Sequence, residues 1–307
     1  MKLVRFGARG SEKPGVIDAR GVVRDLSGVV PDIDARTLSP AALARLREID
    51  HTTLPTAPDG VRLGACVGSI PNVVCIGLNY SDHAAETNTP IPSQPIVFNK
   101  HTGAVAGPDD ALILAPGSAK LDWEVELAVV IGTPAWNVSE ENALDHVAGY
   151  CLCNDVSERA WQLEYEGQWT KGKSYYGYAP LGPWLVTADE VPDPQDVELR
   201  LEVNGVRRQT GSTRTQIFDI VAERPAVREA KTLVELLRGF ECLHRASFKA
   251  QALIGASPCD LDDVGEDGAS SALAAKCVGR AHGLYFAELW IQLLESTATQ
   301  QERAFPG

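Results

Sequence analysis

The feature that most limits what this chain can fold into is a series of short runs rich in Val, Ile and Leu. They are NVVCIGLN from Asn72, PIVFNK from Pro95, AVAGPDDALILAP from Ala104, WEVELAVVIG from Trp123, GYCLCNDVS from Gly149, GPWLVTADEV from Gly182 and VELRLEVNG from Val197. Runs of this length, bounded by Gly, Pro, Asn and Asp, read as β-strands. Helical periodicity is scarcer. It is expected at Leu43 to Ile49, in SERAWQLEYEG from Ser157, and beyond residue 223, where Ala230, Leu233, Val234, Leu237 and Phe240 recur at helical spacing. Acidic residues opening Ser139 to Asp145 mark another helix start. Many strands with few helices predict an α+β, β-rich fold rather than a repeated βαβ unit.

The length of 307 residues suggests about two domains. Residues 1–65 alternate short apolar runs with Gly and Pro and read as a small N-terminal α/β domain. HTTLPTAPDG, from His51, reads as the linker. Residues 70–307 form the second domain, which changes character from about residue 224.

Charge narrows the partners. Lys and Arg number 28 against 41 Asp and Glu, a net charge of −13. Such a surface repels phosphate backbones and anionic lipid, so neither nucleic acid nor membrane is an expected partner. An anionic substrate would then need a local cation. The seven cysteines are odd in number and show no C-x2-C spacing, and Cys151 and Cys153 in an apolar run read as buried thiols. No leading segment reads as a signal peptide, and no apolar run approaches the ~18 residues of a membrane span. The expected setting is cytoplasmic, and the sequons at Asn79 and Asn137 read as chance.

Three constellations could carry chemistry. In a strand through Leu121-Asp122-Trp123-Glu124-Val125-Glu126-Leu127, Glu124 and Glu126 share one face and Trp123, Val125 and Leu127 the other. With Asp155 at the end of YCLCND, the three carboxylates suit a hard cation such as Mg²⁺, Mn²⁺ or Ca²⁺; spacing alone favours a solvated acidic face. In Asn79-Tyr80-Ser81-Asp82-His83-Ala84-Ala85-Glu86, a helix would place Glu86 beside His83, as in a general-base pair or a surface ion pair. Gly167 to Ser174 satisfies G-x4-G-K-S. A phosphate loop must follow a strand and open a helix, and the preceding ERAWQLEYEG reads as helical, so ATP binding is rejected. Lys173 remains as a cation for an anionic substrate or as a solvated loop lysine.

Taken together, GLNYSDHAAE, PIVFNK, DWEVELAVVIG, GYCLCNDVSERAWQ, KGKS and LGPWLVT resemble the fumarylacetoacetate hydrolase family, over about residues 1–222. The likeness points to the bacterial branch with 2,4-diketo-3-deoxy-L-fuconate hydrolase and ureidoglycolate lyase. It implies a mixed β-sandwich or barrel-like roll and a homodimer. It also implies that Glu124, Glu126 and Asp155 hold Mg²⁺ or Mn²⁺ (Ca²⁺ being a further option). By the same resemblance His83 and Glu86 activate water, Lys173 stabilises developing charge, and Tyr80, Arg159 and Gln162 contact an oxo-acid substrate. The implied reaction is hydrolysis of a C–C bond in a 2,4-dioxo acid, in sugar-acid catabolism. Its alternatives are a ureidoglycolate lyase, an oxo-acid decarboxylase or isomerase on the same metal site, and a catalytically degenerate member.

The chain departs from the family pattern twice. Tyr176-Gly177-Tyr178 stands where Asp-Thr-Phe is usual, and the PGD and TGTP-x-G segments are absent after FDIVAERPAV, where Pro225 cannot continue a helix interior. Natural divergence and a reading-frame change both fit. The expectation is poorer packing from about residue 224 than in 70–222, with protease cuts concentrated after residue 223 and weakened catalysis.

Overall fold

The computed structural model describes residues 1–136 and 138–221. The expectations for residues 224–307, including the helix within 227–256, and the sequon at Asn137 lie outside the described residues. The elements in chain order are β1 (Lys2–Phe6), β2 (Lys13–Ile17), β3 (Val23–Asp25), α1 (Pro40–Arg47), β4 (Val73–Gly77), α2 (Ser81–Glu86), β5 (Ile96–Lys100) and β6 (Val105–Ala106). They continue with β7 (Leu121–Asp122), β8 (Val125–Ile131), β9 (Val147–Asn154), β10 (Ser157–Glu158), α3 (Trp169–Lys173), β11 (Ala179–Thr187), β12 (Glu198–Val203) and β13 (Val206–Ser212). The strand-rich α+β class read from the sequence holds, and no closed barrel forms among the described residues.

One sheet organises the molecule, in the order β3-β2-β1-β11-β9-β8, with β6 joining β11 in parallel. The other pairs in it are antiparallel. Strand β9 is buried on both faces. Tyr150 and Leu152 pack with Val125, Val186 and Leu199 on one side, and Cys151 packs with Leu3, Val16, Leu26 and Leu185 on the other. Two-sided burial explains why GYCLCN is a continuous apolar run rather than an alternating one. Residues 1–65 share this sheet through Lys2↔Val186, and α1 lays Ala42, Leu43 and Leu46 against the same core. Pro40 opens α1 where its missing N–H costs nothing, and Arg45 and Arg47 suit its C-terminal end. Two further hairpins, β4–β5 and β12–β13, stand apart from the main sheet.

Three elements differ from the sequence reading. In AVAGPDDALILAP only Val105–Ala106 pairs, because Asp110 accepts the Gly107 N–H at 2.8 Å and turns the chain. Arg62 then clamps Asp110 through Nε and Nη2, both at 2.7 Å. SERAWQLEYEG gives the two residues of β10 and a π-helical turn at Ala160–Glu164. The buried Glu158 draws in the loop before it by accepting the N–H groups of Ala119 and Lys120 and the Ser118 hydroxyl. Ser139 to Asp145 forms two 3-10 turns, Glu140–Asn142 and Leu144–His146.

The Asp110 clamp makes a pH prediction. Burial alone would raise the Asp110 carboxyl; the Arg62 guanidinium and the Gly107 N–H outweigh it and hold it below the usual carboxylate range. A group depressed in the folded state stabilises the fold above its unfolded pKa and loses that contribution as pH falls through the folded value. Asp110→Asn should therefore lower Tm at neutral pH and leave a shallower acid limb than wild type, as read by thermal melts across pH 3 to 7 (roughly, the range in which carboxylates titrate).

Candidate functional site

The ends of β8 and β9 bring three carboxylates together. Their ladder runs in the register Val125↔Asn154 and Glu126↔Cys153, and continues past the strand ends as Asp155 donates its N–H to the Glu124 carbonyl at 2.7 Å. The Asn154 side chain accepts the Glu124 N–H at 3.0 Å. From the β12–β13 hairpin, the Gln209 amide closes on Val125 in both directions, accepting its N–H at 2.8 Å and donating to its carbonyl at 2.9 Å. With the backbone held on both sides, carboxylate oxygens of Glu124, Glu126 and Asp155 all lie within 4.8 Å of one another.

Helix α3 brings the first cation. It wedges between the β4–β5 hairpin and the π-helical turn: Trp169 lies 5.4 Å from the Phe98 ring, and Thr170 donates to the Asn99 carbonyl at 3.1 Å. Gly172 permits this approach, since a Cβ there would sit 2.4 Å from the Glu158 carbonyl oxygen. Lys173 Nζ is thereby delivered 2.5 Å from Glu124 and 2.8 Å from Asp155. Burial favours a neutral amine, but Asp155 and Glu124 overcome it and raise the Lys173 pKa. The G-x4-G-K-S match thus lies on a helix preceded by another helical turn, with its lysine turned onto carboxylates.

A second lysine was not anticipated. Lys100, at the end of β5, is fully buried and donates to Asp155 at 2.5 Å and to the Val156 carbonyl at 3.1 Å. The signal was present: strand alternation puts Lys100 on the same buried face as Phe98, where a charge needs a partner.

Arg159, just before the π-helical turn, reaches Asp122 Oδ2 at 2.9 Å and Glu124 Oε1 at 2.5 Å and donates to Gln162 Oε1 at 3.0 Å. Burial would raise Glu124, yet Lys173 and Arg159 hold it below the carboxylate range. Glu126 behaves oppositely. Burial, then the charges of Asp155 and Glu124, push its carboxyl well above that range. Three hard oxygen donors with an excess of negative charge at Glu126 fit a hard divalent cation.

Glu126 and Asp155 open into a cavity of about 350 Å³, whose walls include Asn79, Tyr80, Cys75, Cys153, Leu127 and Phe218. Tyr80 accepts from Gln216, another wall residue not anticipated, at 3.4 Å. The Asn79 amide is paired both ways with the Phe218 backbone, which occupies the side chain a glycan would need. His83 and Glu86 do meet, Nδ1 to Oε2 at 3.7 Å, but on the outer face of α2, where they are 38 and 82% exposed and outside the cavity lining. The structure therefore gathers Glu124, Glu126, Asp155, Lys173, Arg159, Gln162 and Tyr80, and leaves the His83–Glu86 pair at the surface. Among the described residues no helix is long and apolar enough to cross a membrane.

Comparison with known proteins agrees with this geometry. Residues 72–223 match the family described as fumarylacetoacetate (FAA) hydrolase C-terminal. A Burkholderia ambifaria protein named provisionally as a hydrolase is 57% identical over 220 residues, 72% of this chain and 78% of that one. Among solved structures, fumarylacetoacetate hydrolase from psychrophilic Exiguobacterium antarcticum is similar with a TM-score of 0.60 and 34% identity, over 78% of this chain and 80% of that one. A 5-carboxymethyl-2-hydroxymuconate delta-isomerase from Mycobacterium smegmatis gives a TM-score of 0.56 and 30% identity, over 78 and 81% respectively.

Proposed function

The chain belongs to the fumarylacetoacetate hydrolase family of enzymes, and from that premise we propose that it hydrolyses a C–C bond in a 2,4-dioxo acid, with a divalent cation held by Glu124, Glu126 and Asp155. The observation that carries this reading is the trio of carboxylates, with Glu126 and Asp155 on the cavity wall and Lys173 bridging Glu124 and Asp155. A bound divalent cation supplies Lewis-acid polarisation of the oxo group of a chelating 2-oxo acid. The protein's own groups do the rest. Arg159, which donates to Gln162 and pairs with Glu124, is assigned to the substrate carboxylate by the family resemblance, and Tyr80 borders the cavity. Lys173 places an ammonium where negative charge develops on the departing carbon fragment. His83, paired through Nδ1 with Glu86 on the outer face of α2, has to turn in toward the cavity to take a proton from water, and the hydroxide then adds to the second carbonyl. Water and the dioxo acid thus yield a 2-oxo acid and a second carboxylic acid.

The test is a turnover panel with Mg²⁺ or Mn²⁺ over 2,4-dioxo acids, oxaloacetate, ureidoglycolate and a muconate-type enol acid. Release of a 2-oxo acid from the dioxo acids supports hydrolysis. Conversion of the enol acid alone would establish an isomerase, the second reading, which the likeness to the muconate isomerase favours. Cation binding without turnover on any of them would mark a degenerate member. Within the hydrolase reading, His83→Ala should cut kcat by about 10²–10⁴-fold while cation affinity stays near wild type, because it acts on water. Full turnover by His83→Ala would remove His83 from the mechanism.

A further inference from the structure

The cavity does not end at the carboxylates. Strand alternation puts Glu126, Ala128 and Val130 of β8 on one face, and all three line it. At a rise of roughly 3.3 Å per residue, Val130 stands about 13 Å beyond Glu126. The wall continues through Leu38, Val67, Ile70 and Leu181. Leu38 and Val67 belong to the core around Leu3 and Cys151, and the other two pack against it together with Ala128 and Val130. Among the described residues the charged side chains on the wall are Glu126, Asp155 and Asp219, and no Lys, Arg or His joins them. The head of a chelating 2-oxo acid meets the cation, with Arg159 beside Glu124. A second carboxylate further along would be buried without a counter-charge, which is costly. Hydroxyls facing Ala128, Val130 and Leu181 would lose water without gaining a partner there. A hydrocarbon chain gains instead, by about fourfold in affinity for each methylene taken out of water.

We propose that the substrate is a 2,4-dioxo acid with an apolar acyl arm, an alkyl or aryl group lying along Ala128, Val130 and Leu181, and that the cavity selects against an arm bearing a second carboxylate or several hydroxyls. The inference rests on the reading of Glu126 and Asp155 as ligands of the cation that holds the oxo-acid head, and it names the substrate class of that same site.

Calorimetric titration of simple 2-oxo acids into the full chain with Mn²⁺ tests this without any turnover. The probes are 2-oxobutanoate, 2-oxohexanoate, 2-oxooctanoate and 2-oxosuberate, a diacid of the same length as the octanoate. Wild type should bind the monoacids with affinity rising about fourfold per methylene. It should bind the diacid at least about tenfold more weakly than 2-oxooctanoate. Val130→Lys should reverse the order of that matched pair, a gain that only folded protein can show. If the variant does not fold, the wild-type series decides alone. Equal affinity across the monoacids, or a diacid bound as tightly as 2-oxooctanoate, overturns the inference even where 2,4-dioxo acids are hydrolysed. A rising series without hydrolysis of any dioxo acid would sink the hydrolase reading and leave the apolar arm standing. Binding of none of the acids overturns both.

Discussion

Asp155→Asn should be the most destabilising single change at the site, costing about 3–5 kcal/mol, or roughly 6–20 °C in Tm. Asp155 is buried and takes an ammonium on each oxygen, Lys100 on Oδ1 and Lys173 on Oδ2. The amide keeps the volume and removes the charge. Lys173 retains Glu124, but among the described residues Lys100 keeps only the Val156 carbonyl, in a place that water does not reach. A buried charge without its counter-charge is the expensive half of a broken ion pair. The same variant should lose the thermal stabilisation that Mn²⁺ gives wild type, since a ligand that binds only the folded state raises Tm in proportion to its affinity. Melts of both proteins, with and without Mn²⁺, check the two effects separately. A Tm within a few degrees of wild type would show that Lys100 is held by something other than Asp155.

Lys173→Met should separate catalysis from binding and from folding. Turnover is expected to fall by about 10²–10³-fold, the usual cost of removing a group aimed at developing charge. Folding should survive, because each carboxylate keeps another cation: Glu124 has Arg159 and Asp155 has Lys100. The apolar side chain also replaces the lysine stem against the Phe98 ring, which the ammonium now faces at 5.1 Å. Cation affinity should not weaken, since the substitution removes a positive charge next to the ligands. Steady-state kinetics beside a cation titration gives both numbers. A parallel fall in affinity and turnover would make Lys173 a scaffold for the carboxylates rather than a group acting on substrate.

The parts of the site that could be read in advance are those governed by short-range geometry. Strand alternation places Glu124 and Glu126 on a common side, and the i,i+3 spacing places Glu86 beside His83. What escaped was set by contacts distant in sequence. Lys100 meets Asp155 across 55 residues, and Gln209 closes on Val125 across 84. The π-helical turn at Ala160–Glu164 reads as an ordinary helix, because π and α turns draw on the same residue types; it follows the buried Glu158, whose carboxylate is held by the distant 118–120 loop. AVAGPDDALILAP looked like a strand on composition, and the Asp110–Gly107 turn held by Arg62 prevents it.

The central claim is that Glu124, Glu126 and Asp155 are cation ligands and not an acidic face, and Glu126 tests it most cleanly. Among the described residues its carboxylate makes no hydrogen bond or ion pair, and its charge is the one least compensated by the surrounding lysines and Arg159. Calorimetric titration of Mn²⁺ into wild type and Glu126→Gln should give saturable binding by wild type and an affinity lower by at least about tenfold in the variant, with its fold intact. Equal affinity in the two proteins would return the three carboxylates to the status of a charged surface and take the proposed chemistry with them.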